Sequence, residues 1–360
     1  MSFDKVKKNL IKNRERRLND ELIAIPWKSL PRLSKVIPGI QQAKYIVLSA
    51  GPKAGKSQLC DFLFLYEPIN WFLENRAKEN VRLKVLYFSL EMSREAKLLQ
   101  ATSYKLNKDF GISISPEHLK STFEDYILEP HILETIMSTE FQSWMNEFES
   151  IVQLIDNVRS PDEIHKTVLE YAEEKGRFEK KGGNLEYISD DPDEYVIVIV
   201  DHLSLLAPDK GKLFDAIYDY SAHKCLFYRD KLKYCVVNVQ QQSADSTTQQ
   251  FDYRGYSIID KIRPKPEGLA DCKYTSRDAD LMLSLFNPTA YNFEEYEGVN
   301  LNKIGRWHRE LFINLNRSGI SNAMVQLYFN GAVNEFFELP RKLRNEDYEH
   351  ILNKANSLIT

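Results

Sequence analysis

The chain has 360 residues, 43% hydrophobic and 28% charged, with a net charge of −4. That supplies one large core, and so mild a balance excludes a global attraction to nucleic acid or membranes, so any such contact must come from local basic patches. The four cysteines, Cys60, Cys225, Cys235 and Cys272, have no CxxC spacing, which argues against a disulfide frame or zinc site, and no apolar run nears the roughly 20 residues of a membrane span.

The first twenty residues, MSFDKVKKNLIKNRERRLND, are basic and lack the apolar stretch of a secretory signal. A cytoplasmic protein with no membrane partner is expected. Residues 1–30 read as a helix-prone arm or linker, broken by Pro26 and Pro31. From Lys44 onward, short apolar runs alternate with helical stretches: 46-IVLSA-50, 84-KVLYFSL-90, 195-YVIVIV-200, 234-YCVVNVQ-240, 280-DLMLSLF-286 and 310-ELFINLN-316. Continuous apolar runs mark strands buried on both faces. They predict an α/β fold whose central sheet is mostly parallel and flanked by helices. The charged stretch 175–194, with Gly182-Gly183, reads as an exposed insertion or loop. Near the end, 323-AMVQLYFN-330 and 335-EFFEL-339, joined through Asn330-Gly331, predict a C-terminal β-hairpin. The organisation expected is an arm over 1–30, one ATPase-sized domain over 31–340, and a helical tail over 341–360.

The segment 50-AGPKAGKS-57 has the pattern of a phosphate-binding loop, between an apolar strand and the helix that starts near Gln58. In such a loop backbone N–H groups curl around phosphates, and Gly55 permits this by adding no side chain. Lys56 supplies a charge for the β- and γ-phosphates of ATP and Ser57 a hydroxyl for Mg²⁺. Ala50, Gly51, Pro52, Lys53, Ala54 and Gln58 complete the binding segment. Ala50 stands where the pattern has its first glycine. Mg²⁺ also needs a carboxylate at the end of a neighbouring strand, and Asp201, directly after YVIVIV, is placed to be one; the plainer reading is a turn cap. Glu91, in 88-FSLEMS-93, ends another strand at the edge where open α/β sheets bind ligands. Alone it reads as a surface glutamate.

A strand ending in Leu90-Glu91-Met92-Ser93 after a P-loop resembles the DnaB-type replicative helicases, hexameric motors with a RecA-like ATPase fold. The likeness runs through most of 31–340. The lead-in 38-PGIQQAKYIVLSAGPKAGKS-57 is similar to that family's P-loop segment, and the family commonly carries Ala at the position of Ala50. The stretch 196-VIVIVDHLSLL-206 resembles its Walker B strand. In 236-VVNVQQQSAD-245, the resemblance makes Gln241, or else Gln240, the γ-phosphate sensor. The segment 262-IRPKPEGLADCKYTSRDADLMLSLF-286 is similar to its DNA loop and the strand after it, and 312-FINLNRSG-319 puts Arg317 at the arginine-finger position. Departures are Leu315, where the family has Lys, and Ala270 and Lys273, where it has Arg and Gly. The family's separate helical N-terminal domain has no counterpart here, so the chain resembles a stand-alone form of phage type.

The resemblance implies a ring-forming ATPase that moves 5′→3′ on single-stranded DNA. Lys56, Glu91, Gln241 and Arg317 would be catalytic and Ser57 and Asp201 would hold Mg²⁺, with a primase or a helicase loader as further partner. Lys261, Arg263, Lys265 and Lys273 would grip the DNA backbone. Tyr253, Tyr256 and Tyr274 lie where they could stack on bases. Two other readings share the fold: a RecA-like recombinase that forms filaments, and a weakly hydrolysing replication accessory or loader module.

Overall fold

Strand β1 (Lys44–Ala50) is buried along all but its first residue, as a run of that composition must be once helices cover both sheet faces. The computed structural model describes residues 3–19, 21, 23–76, 81–208, 210–251, 254–255, 258–291 and 293–358. After β1 come β2 (Arg82–Ser89), β3 (Val152–Ile155), a hairpin of β4 (Gly176–Lys181) and β5 (Asn184–Ser189), β6 (Glu194–Asp201), β7 (Cys235–Gln241) and β8 (Leu281–Phe286). A short pair, β9 (Glu295–Tyr296) and β10 (Val299–Asn300), precedes β11 (His308–Asn316), β12 (Ala323–Asn330) and β13 (Glu335–Glu338).

Among the described residues one nine-stranded sheet runs β13-β12-β11-β8-β1-β7-β6-β2-β3. The six strands from β8 to β3 are parallel; β11, β12 and β13 extend the sheet in antiparallel fashion. Along β1, Ile46 and Leu48 face one core with Leu63, Phe64 and Trp71, while Tyr45 and Val47 face the other with Phe88, Val200 and Tyr228. The helix after the P-loop, Lys56–Asp61, continues through a π turn at Phe62–Tyr66 into Glu67–Asn75.

Three features differ from the sequence reading. The charged stretch at 175–194 is a hairpin, not a loop. Gly182 and Gly183, at φ 56° and 84°, supply the two positive-φ residues of a tight hairpin turn. The long interval between Glu91 and Asp201 holds more than that insertion. It contains the helices Arg94–Phe110, Pro130–Met137 and Thr139–Ile151, which share a small core of Leu106, Ile114, Leu119, Ile132 and Phe141, and the edge strand β3. The N-terminal arm is a helix, Phe3–Leu18, whose Phe3, Leu10, Ile11 and Leu18 are exposed; Arg16 ties it to Asp193 at 3.1 Å. The C-terminal tail is helical over Asn345–Asn356. No described helix is long and apolar enough to cross a membrane.

Parallel pairing decides where the site lies. Ala50 is in register with Gln241, Val239 with Asp201, and Asp201 with Ser89. The P-loop, Gln241, Asp201 and Glu91 therefore emerge at one edge of the sheet. Because β11 runs antiparallel, its end, Asn316, pairs with Leu281 at the start of β8. Arg317 thus lies at the opposite edge.

Candidate nucleotide site

The loop after β1 turns on two left-handed residues, Lys53 at φ 56° and Gly55 at φ 103°. A Cβ on Gly55 would sit 2.7 Å from the Phe329 ring, so both the dihedral and the space require glycine. Ala50 is fully buried in the core under the loop, where its methyl group is accommodated. Ala54 is buried as well, Pro52 and Lys53 are exposed, and Gly51, Lys56, Ser57 and Gln58 are partly covered. A cavity of about 240 Å³ adjoins Gly51, Pro52 and Ala54, walled by Ile262, Phe286 and Tyr291.

Ser57 Oγ donates to Asp201 Oδ1 at 3.1 Å. The other oxygen of Asp201 accepts from the Tyr87 hydroxyl at 3.1 Å and lies 3.6 Å from Lys97 Nζ. Lys97 is itself buried; it contacts Asp61 at 2.9 Å and Tyr87 Oη at 2.8 Å. Burial alone would lower the Lys97 pKa, but the charges of Asp61 and then Asp201 outweigh it and hold the ammonium above its usual range. A buried cation therefore backs the Asp201 carboxylate. The sequence reading missed Lys97, Tyr87 and Asp61: a Lys on an amphipathic helix reads as solvated, and nothing local ties it to a residue 36 positions earlier.

On the open side, Glu91 is half exposed. Its Oε2 lies 3.9 Å from Lys56 Nζ and 3.6 Å from His202 Nε2. His202, a residue the sequence reading passed over, is buried; desolvation and then the charge of Lys56 lower its pKa, so the imidazole is neutral at pH 7. Lys56, Glu91 and His202 form one cluster beside the Ser57–Asp201 pair.

Of the two sensor candidates, Gln240 is fully buried, and its amide donates to the carbonyls of Ala270 and Cys272 at 2.6 and 2.9 Å. Gln241 is half-buried beside Ala50, and its backbone carbonyl accepts from Ala270 N at 2.8 Å. Both residues thus anchor the segment that follows. In that segment Lys261, Lys265 and Lys273 are exposed. Arg263 is already engaged: its Nε donates to Tyr296 Oη at 2.7 Å and its guanidinium pairs with Glu297. Tyr274 is exposed, edge-on to Phe214 and Tyr218. Tyr253 and Tyr256 lie outside the described residues.

Arg317 is not brought to this cluster. Its backbone N–H bonds to Asp280 O at 2.9 Å and its guanidinium to the Arg277 carbonyl. The neighbouring Ser318 meets Lys44 at the start of β1. The seven residues of β1 put the two edges roughly 20 Å apart at the usual rise per residue. Leu315 follows a bulge in β11 and packs against the core.

A mostly parallel sheet with a phosphate loop after its central strand, and a carboxylate at a nearby strand end, defines the RecA-like ATPase fold. No protein-family model matches the chain, and no curated protein matches its sequence. Solved structures do. The ATPase domain of a phage DnaB-like helicase superposes with a TM-score of 0.66 at 18% identity, over 94% of this chain and 99% of that one. A DnaB-like replicative helicase, solved to show its interactions with primase, superposes with a TM-score of 0.64 at 18% identity. That match spans 92% of this chain and 66% of the helicase. The likeness establishes a common fold.

Proposed function

We propose that the chain is an ATP-driven replicative DNA helicase that acts as a ring, of hexameric type, on single-stranded DNA. One observation carries the reading: Lys56, Ser57, Asp201 and Glu91 meet at one sheet edge, while Arg317 lies at the other. A nucleotide at that edge is out of reach of its own chain's Arg317, and a neighbouring copy in a ring would present one.

The donors fit Mg²⁺. Ser57 Oγ and Asp201 Oδ1, 3.1 Å apart, are the hard oxygens that ion takes; once bound it would neutralise charge on the β- and γ-phosphate oxygens. The loop amides cradle the phosphates, and Lys56 turns from Glu91 to the γ-phosphate. Glu91, released from that ammonium, orients water and accepts its proton. Arg317 of the adjacent copy meets the charge that develops on the transferred group; such a finger is worth about 10³–10⁵ in rate in related NTPases. Gln241 senses the γ-phosphate, and the Ala270 hydrogen bond to its carbonyl carries the change to Lys261, Lys265 and Lys273, which hold the DNA backbone. A primase or loader is the further partner this reading expects.

One observation favours a second reading, a weakly hydrolysing accessory module: Leu315 packs inward where a second cation toward the neighbour would help. Steady-state ATPase measured with and without single-stranded DNA separates the two. The helicase reading predicts severalfold stimulation by DNA and its abolition in Lys56→Ala. Turnover that ignores DNA supports the accessory module, and wild-type turnover in Lys56→Ala contradicts the P-loop reading.

A further inference from the structure

Arg309 lies on the central antiparallel strand β11 and is 5% exposed. A charge so deeply buried normally has a carboxylate partner. Among the described residues no carboxylate lies within ion-pair distance of it. Its donors meet neutral oxygens instead: Nε reaches Ala54 O at 2.7 Å, and Nη1 reaches Asn287 Oδ1 at 3.1 Å, Arg306 O at 2.9 Å and His308 O at 2.7 Å. The guanidinium carbon sits over the Phe329 ring, 4.6 Å from its centroid, and that ring fills the space opposite Gly55. Burial lowers the Arg309 pKa to about 10, so it remains charged at neutral pH.

The oxygen that Nε holds belongs to the phosphate loop. A trans peptide places its C=O and N–H on opposite sides of the plane. Fixing the Ala54 carbonyl toward Arg309 therefore fixes the Gly55 N–H in the opposite direction, away from the core. A cation on the carbonyl also polarises the peptide and strengthens the N–H as a donor. The loop is thus clamped from behind by a charge that lacks a counter-ion in the chain itself.

We infer that Arg309 is a positioning residue for the phosphate cradle: it sets the Ala54–Gly55 peptide from beneath, and its charge is balanced when the phosphates of the nucleotide arrive. The ligand it serves is the polyphosphate moiety. The inference rests on the P-loop reading above. Arg309 also borders a cavity of about 200 Å³ with Arg306, Trp307 and Phe329, so a direct contact with the base of the nucleotide is the rival role.

The test is binding to the full chain in Mg²⁺ buffer, with a fluorescent ATP analogue displaced by ATP or by inorganic tripolyphosphate. In Arg309→Met both competitors should weaken by the same factor, roughly tenfold, the size of one charge-assisted hydrogen bond. ATPase KM should rise by a similar factor with kcat changed less than twofold, because the clamp serves ground and transition states alike. A purely structural role would reduce the folded fraction, and so kcat, with KM unchanged. Should Arg309→Met not fold, Arg309→Lys keeps the charge but cannot span all four oxygens, and a threefold to fivefold loss for both competitors is expected of it. Unchanged tripolyphosphate binding in a folded variant, or a loss confined to ATP, overturns the inference. Lys56→Ala is the control: if it too binds and turns over ATP normally, the P-loop reading has failed; if it is inactive while Arg309→Met is normal, only the clamp has.

Discussion

Ser57 Oγ and Asp201 Oδ1 lie 3.1 Å apart although 144 positions separate them in the chain. The contact exists because β1 and β6 are parallel strands flanking β7, each ending at the same edge. It places a hydroxyl and a carboxylate beside the phosphate loop, with Glu91 and Lys56 next to them.

Glu91→Gln tests the water-activating role. The amide keeps the shape of the side chain and cannot accept the proton. ATP binding should be retained within about twofold, with kcat reduced by a factor on the order of 10²–10⁴. Turnover at the wild-type rate would remove Glu91 from the mechanism.

Lys97→Met tests the buried network. It leaves Asp61 and Asp201 close together without their cation, and breaking such a pair is expected to destabilise the fold by about 3–5 kcal/mol. Denaturant unfolding measures this. Adding Asp61→Asn should recover most of the loss, since it removes the excess charge. A single-variant loss under about 1 kcal/mol would mean that the ammonium does not hold these carboxylates.

The strands on both sides of P-loop strand β1 were legible in the sequence because both faces are buried and their composition says so. Ala50–Gln58, Glu91 and Asp201 were legible because each is a local pattern at a strand end. Other parts depend on tertiary contacts. β3 has four residues and follows its helix, Thr139–Ile151, without a break. Both faces of the β4–β5 hairpin carry charge, so no alternation marks it. Asp61 and Lys97 look like surface residues of two helices until packing faces them inward, and Arg309 is a lone charge in a strand whose purpose appears only once the loop lies on it. The four-residue basic set was also read as uniform, whereas Arg263 is tied to Tyr296 and Glu297.

Glu310 should make stability fall as pH rises. Both its carboxylate oxygens lack hydrogen-bond partners among the described residues. Burial first, then the charge of Glu297, push its pKa from the ordinary 4.5 to about 8, against a smaller pull from Arg263. Below pH 4.5 both folded and unfolded chains hold the proton. Between 4.5 and 8 only the folded chain holds it, so stability is progressively lost as pH rises through that window. Glu310→Gln should therefore stabilise the protein by on the order of 3 kcal/mol at pH 7 and by little at pH 4.5. Neighbouring His308, pushed down to about 3, has the opposite slope between its folded and ordinary values. It is present in both proteins and cancels in the difference. A difference that does not change with pH would show that Glu310 is ionised in the fold.

Lys261, Lys265 and Lys273 changed together to Ala should flatten the salt dependence of single-stranded DNA binding. Each phosphate contact contributes a slope of roughly 0.7 on single strands, so each engaged loop should lose about 2. Nucleotide binding should be unaffected. Arg263 is left in place because its loss would release Glu297 and Tyr296. An unchanged salt slope would put the DNA path elsewhere, with the basic helix Phe3–Leu18 next in line.

The central claim is that ATP is hydrolysed between copies, with Arg317 serving its neighbour's Lys56 and Glu91. Its most direct test mixes two inactive variants, Lys56→Ala, which keeps the finger, and Arg317→Ala, which keeps the phosphate loop. Allowed to reassemble together in equal amounts, they should regain ATPase, because roughly a quarter of randomly formed interfaces then join an intact loop to an intact finger. A mixture no more active than its two components would contradict shared sites and return Arg317 to a role within its own chain.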